Sequence, residues 1–241
     1  MSYSELISKQ TWYEELEYNH NPFSIKPIHS KEILGRESVI EKINTTIKEK
    51  SICIIHGTYG SGKTTFLKRI IEEFKGKRKV VYFSCNRLTQ QLDVHKLLTE
   101  RTLLSKLFNI KAKNMILLLD EADFLTEEDF KQIYTHYKKS YFKSVIFITH
   151  NIRKFKLPAP LKKEIGKNTF SFSKLALADA ISIVRSRFEH NNLLPDEVIE
   201  NLYKQSSSMR QFLKNCELFV KFLVDKNRKR GSIKDIKKAL E

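Results

Sequence analysis

The sequence predicts an α/β fold in three layers, a parallel sheet covered by helices on both faces, followed by a small all-helical unit. Three observations predict it. Short apolar runs alternate with stretches of helical spacing as far as about residue 173, and a glycine-rich segment directly follows the first of those runs. From Ala176 onward only helical periodicity is found.

Taken in order, residues 1–34 are polar and aromatic, with Trp12, Tyr13 and Tyr18 among acidic residues and then Asn21, Pro22 and Phe23, and they read as an N-terminal arm leading into the core. A helix is expected from Glu37 to Lys50, with Ile40, Ile43 and Ile47 on one face. Ile52 to Ile55 is a buried strand, Gly57 to Thr65 punctuates it, and Phe66 to Phe74 resumes helical spacing. Strands follow at Val80 to Cys85, Met115 to Leu119, Val145 to Thr149 and Thr169 to Phe172. Helices are expected between them, at about Asp93 to Phe108 and Glu127 to Lys139. The helical unit comprises Ala178 to Phe188, Pro195 to Tyr203, Met209 to Val224 and Ile233 to Leu240. The expected domains are thus residues 1–34, 35–173 and 174–241.

Composition narrows the function classes. Hydrophobic residues at 41% and charged residues at 30% fit a folded globular chain and exclude a mostly disordered one. A net charge of +16 favours a polyanionic partner, because clustered Lys and Arg displace counterions from phosphate backbones; a lysine-rich surface that serves only solubility is the other reading. Cys53, Cys85 and Cys216 are far apart and read as core thiols in a reducing, cytoplasmic compartment, and no closely spaced His/Cys set suggests zinc. No apolar run is long enough for a membrane span and residues 1–30 contain no apolar signal core.

The chemistry is concentrated in two segments. Gly57-Thr58-Tyr59-Gly60-Ser61-Gly62-Lys63-Thr64 satisfies the phosphate-loop pattern GxxxxGK(S/T), placed between a strand and a helix and followed by Thr65. In that context backbone N–H groups and the helix dipole meet phosphate oxygens, Lys63 neutralises the β and γ groups, and the Thr64 hydroxyl ligates Mg²⁺. The fold class becomes that of a P-loop NTPase. Met115 to Asp123 reads MILLLDEAD, an apolar strand that delivers Asp120 to the magnesium and Glu121 to the attacking water as general base. Asp123 fits a helix cap. No NKxD-type guanine reader is present, so the expected ligands are ATP and Mg²⁺.

With these residues the chain resembles an AAA+ ATPase, and within that superfamily the archaeal origin-recognition initiators. Asn21-Pro22-Phe23 and Ile33-Leu34-Gly35-Arg36-Glu37 are similar to the segment those proteins place before the phosphate loop, and the resemblance covers most of residues 21–123. It implies that Leu34, Gly35 and Arg36 lie near the adenine base. It also implies a γ-phosphate sensor at the end of the fourth strand, Asn151 or, second, Thr149, and a second sensor, Arg210, in a helical lid; turn or helix caps and a surface arginine are the plainer readings.

The sequence departs from those initiators in three places. Val80 to Leu119 leaves room for one helix where initiators insert a DNA-gripping element. Lys162 and Lys163 stand where an arginine finger is expected. The sequence given ends with the lid, without a winged helix. DNA contact is therefore expected from the ATPase body, at Arg153, Lys154, Lys156, Lys162, Lys163 and Lys167, or from Lys226, Arg228, Lys229 and Arg230, and a solvated lysine face fits both segments as well. The function expected is an ATP-driven switch acting on or near duplex DNA, as a replication-associated or mobile-element helper. A clamp-loader or transposition-helper subunit with protein partners, and a module that holds ATP without turnover, are the alternatives.

Overall fold

A computed structural model describes residues 11–25, 35–75, 79–86, 92–99 and 112–241. The chain divides into two compact units, one made of Ser30–Ser173 and the other of Met1–His29 with Lys174–Glu241.

The first unit is built on a five-stranded parallel sheet in the order β2-β3-β4-β1-β5. The strands are β1 (Ile52–His56), β2 (Val80–Ser84), β3 (Met115–Asp120), β4 (Phe142–Thr149) and β5 (Thr169–Ser171). The three central strands are buried over nearly their whole length, which is why they read as continuous apolar runs rather than alternating ones.

Alternation still sorts their side chains into two layers, because successive residues point to opposite faces. Cys53, Ile55, Ile116, Leu118, Ile146 and Ile148 share a core with Ile40, Ile43 and Ile47 of α1 (Glu37–Lys48) and Phe66, Leu67 and Ile70 of α2 (Lys63–Lys75). Ile52, Ile54, Leu117, Leu119, Val145 and Phe147 face the opposite core, closed by α3 (Val94–Thr99), α4 (Glu127–Lys138) and α5 (Ala159–Ile165). A capping box between Thr126 and Asp129 starts α4.

β4 begins at Phe142, earlier than the Val145 expected from sequence. Lys143 and Ser144 interrupt the apolar run, but the buried Ser144 hydroxyl donates to the Ser51 carbonyl at 2.7 Å, so a polar residue is accommodated inside the strand. The helix expected to reach Phe108 is seen from Val94 to Thr99, and its remainder lies outside the described residues.

The second unit contains α6 (Leu177–Arg185), α7 (Asp196–Lys204), α8 (Met209–Asp225) and α9 (Ile233–Leu240) around a core that includes Val184, Phe188, Leu202, Phe212, Phe219 and Leu223. The described residues of the N-terminal segment pack here. Phe23 is fully buried against Phe188, Trp12 stacks on Phe23, and the Asn21 side chain donates to Glu217. All three cysteines are free and buried, and burial raises each thiol pKa, that of Cys85 to about 12.

Candidate functional site

The parallel order brings the carboxyl ends of β1, β3 and β4 side by side, and the phosphate loop, Asp120, Glu121 and Thr149 follow or end those strands at that edge. β1 ends at His56 and the chain turns through Gly57 to Gly62 before Lys63 opens α2. A Cβ at Gly57 would lie 2.4 Å from the Phe172 carbonyl oxygen, so the loop can pass beneath the end of β5 only with glycine there. Gly62 has φ +94° and hands the chain to the helix in a conformation that L side chains rarely adopt.

Lys63 is buried inside this loop. Its ammonium donates to the carbonyls of Gly57 at 2.6 Å and Thr58 at 2.9 Å, with Ser61 Oγ at 3.5 Å. Burial lowers its pKa, opposed by the nearby Asp120 and Asp123 carboxylates. Thr58, Tyr59 and Thr64 are exposed around it, with Gly60 and Thr65 half-buried.

Thr64 Oγ1 lies 3.4 Å from Asp120 Oδ2, so the two oxygens named as magnesium ligands are together although they are far apart in sequence. Tyr82 and Ser84, two residues apart on β2, join the same corner. The Tyr82 hydroxyl lies 3.4 Å from Asp120 Oδ2, and burial, then the Asp120 charge, pushes its pKa up to about 12. Ser84 Oγ donates to Glu121 Oε2 at 3.4 Å. Glu121 has φ 54° and ψ 41°, left-handed backbone that costs a non-glycine residue about 1 kcal/mol, and its N–H donates to Asp120 Oδ1 at 3.0 Å. The same left-handed backbone occurs at Glu17, Lys50, Asn114, Ser140 and Asn227; at Glu121 it falls directly after a second carboxylate.

At the tip of β4, Thr149, His150 and Asn151 lie in three different settings. Thr149 is fully buried and its hydroxyl donates to Asp123, whose other oxygen accepts from the His150 N–H. Asn151, chosen first from the sequence, is exposed, and its Oδ1 accepts from the Arg153 N–H in a local turn. The residue that lies against the phosphate loop is His150, with its ring centroid 5.7 Å from that of Tyr59. Asp123 does not cap the following helix, a task that falls to Thr126.

Of the trio expected near the base, Leu34 lies outside the described residues, Gly35 has φ 75°, and Arg36 is buried as a brace. The Arg36 guanidinium donates to the carbonyls of Ser61 and Ser173 and sits 4.6 Å from the centre of the Phe172 ring. It ties the phosphate loop to the end of β5 through groups that the sequence pattern does not reveal. His56 is also beside the loop; burial, then the Lys63 charge, lowers its pKa.

Arg210 belongs to the other unit, exposed in the first turn of α8, where Ser208 caps the helix by accepting from the Gln211 N–H. Lys162 and Lys163 are exposed on α5, and Arg153, Lys154, Lys156 and Lys167 are exposed on the flanking segments. Arg228, Lys229 and Arg230 are exposed after α8, with Arg228 within 3.5 Å of Asp235. Among the described residues no helix is long and apolar enough to cross a membrane.

The site's chemistry fits a nucleotide with magnesium. A glycine turn that a Cβ would fill, an ammonium inside it, and a hard oxygen pair from Thr64 and Asp120 are what a triphosphate and its cation require.

Comparison with known proteins agrees. A family model described as AAA domain matches residues 49–155. Among solved structures, the chain is similar to one described as Drosophila ORC bound to DNA, with a TM-score of 0.70 and 18% identity over 100% of this chain and 67% of that one. It is also similar to Aeropyrum pernix ORC1 in complex with DNA (TM-score 0.66, 16% identity, 91% and 68% covered) and to a point mutant of Thermotoga maritima RuvB (TM-score 0.65, 17% identity, 86% and 69% covered). No curated protein matches the sequence. Residues 49–155 thus match the AAA domain model, and the chain shares its fold with these origin-recognition and RuvB structures.

Proposed function

We propose that the chain binds and hydrolyses ATP as an AAA+ switch that works on or near duplex DNA. The observation that carries this reading is the convergence of Lys63, Thr64, Asp120 and Glu121 on one edge of the sheet, with Thr64 and Asp120 oxygens 3.4 Å apart. In this reading the N–H groups at the start of α2 and the Lys63 ammonium hold the β and γ phosphates. Tyr59, Gly60 and Ser61 shape the turn around them. Thr64 and Asp120 would hold Mg²⁺, which would supply positive charge beside the transferred phosphoryl group. Glu121, oriented by Ser84, takes the proton of the attacking water. Reporting of the γ phosphate falls to the tip of β4, where the sequence pointed to Asn151, and to Arg210 of the helical unit, whose guanidinium binds phosphate in bidentate fashion.

The DNA part of the reading rests on the net charge of +16, on the exposed basic residues around α5, and on two of the similar structures being described as bound to DNA. Protein subunits of a larger assembly are the second class of partner. ATPase activity measured with and without duplex DNA across a salt series tests it. Stimulation that falls steeply with salt, and that Lys162→Glu with Lys163→Glu removes, is expected. Activity indifferent to DNA at every salt concentration would overturn the DNA assignment and leave the ATPase assignment standing.

A further inference from the structure

The Asp123 carboxylate makes two bonds that local structure does not need. One oxygen accepts from the Thr149 hydroxyl and the other from the His150 N–H at 3.0 Å, partners 26 and 27 residues away on the tip of β4. Thr149 Oγ1 in turn accepts from the Asn151 N–H at 3.1 Å, so three consecutive residues of β4 and its exit hang on one acid. The capping box of α4 is supplied by Thr126 and Asp129, which leaves Asp123 no role as a cap.

The residue fixed between those bonds is His150. Its ring lies 5.7 Å from that of Tyr59, at 40° between planes, and its Nδ1 is enclosed without a hydrogen-bond partner among the described residues. A polar atom buried unpaired carries an uncompensated desolvation penalty, and such a penalty at the edge of a binding loop signals a group reserved for a ligand.

We propose that Asp123 is a positioning residue that latches the tip of β4 to the turn after β3 and thereby holds His150 against the phosphate loop. The proposal rests on the nucleotide reading above and deepens it. Asp123 follows the acid pair of that turn by two residues and cannot shift without moving them, so the latch couples the carboxylates of β3 to whatever His150 meets. Thr149 is the hinge pin of the latch, and Asn151 is carried along by it.

The test has two arms on the full chain. In nucleotide-free protein, the His150 imidazole proton resonances are expected to be displaced by the Tyr59 ring, and Asp123→Asn or Thr149→Val moves them toward the positions of an exposed histidine, whereas Thr149→Ser leaves them in place. In the ATPase assay, Asp123→Asn and His150→Ala each lower kcat about tenfold or more with KM within about twofold, and the double variant is no slower than the worse single one. Resonances unmoved by Asp123→Asn, or kcat losses that multiply in the double variant, would overturn the latch. A wild type that binds no ATP would overturn the nucleotide reading instead, and the resonance arm would still decide whether Asp123 holds His150.

Discussion

The two units bury polar side chains in opposite ways. In the helical unit Ser206, Asn215 and Asp235 are buried, and each is used up locally. The Asn215 amide donates to Ser206 Oγ and accepts from Gln211, Ser206 donates to Leu202, and Asp235 closes the capping box of α9. In the sheet unit some buried polar groups are likewise local, as with Thr46, Thr99 and Asp129, while Ser144 bonds the distant Ser51 carbonyl inside the sheet. Arg36, Ser61, Lys63, Asp120 and Thr149 differ, because they gather at the carboxyl edge of the sheet from separate elements. Burial of polar groups costs free energy everywhere, so convergence of that cost on one edge from separate elements marks a candidate site, whereas local pairing marks a stabilising network.

Variants that separate activity from stability can break this contrast. The largest effect is expected for Glu121→Gln, which lowers kcat by a factor of about 100 to 10,000, the span of general acid–base catalysis, with ATP affinity kept and Tm almost unmoved. A Tm loss of many degrees with unchanged turnover would make Glu121 a structural residue. Asn215→Ala is the counterpart in the helical unit. It removes one buried and one part-buried bond, costs about 1–3 kcal/mol, lowers Tm and leaves ATP affinity in calorimetry unchanged.

Gly57→Ala bridges the two cases. The added Cβ has only 2.4 Å to the Phe172 carbonyl, so about 1–3 kcal/mol is lost to overpacking, and both Tm and nucleotide affinity fall.

The smallest effect concerns pH. Burial, then Lys63, lowers the His56 pKa below 6.5, so the unfolded chain takes up this proton at a higher pH than the folded one. Stability from this group is complete above 6.5 and is lost as pH falls through the window from there to the lowered value. His56→Gln should therefore flatten the decline of Tm between neutral pH and pH 5 by a small amount, because His56 is only half-buried; an identical decline in both proteins contradicts the sign.

These contrasts also explain what the sequence disclosed. The phosphate loop and the acid pair were legible because their chemistry demands residue types at fixed spacing next to an apolar strand. The sheet was legible because its central strands are apolar on both faces. Tyr82 and Ser84 escaped notice inside an ordinary strand run, where only the register that pairs Ser84 with Asp120 gives them meaning. Asp123 read as a cap because its partners on β4 are remote in sequence. Ser144 hid the start of β4 because a polar residue inside a buried strand declares itself only through its bond. Arg210 keeps the role read from its sequence context only as a proposal, since an exposed arginine in the first turn of a helix fits several purposes.

In the proposed function the loop from Gly57 to Thr64, closed on Lys63, is a triphosphate site. Isothermal calorimetry of ATP with magnesium on wild type and Lys63→Ala tests it most directly. The variant is expected to bind at least about 30-fold more weakly, matching the roughly 2 kcal/mol of a charge-assisted hydrogen bond, while remaining folded. Equal affinity in the two proteins would contradict the account.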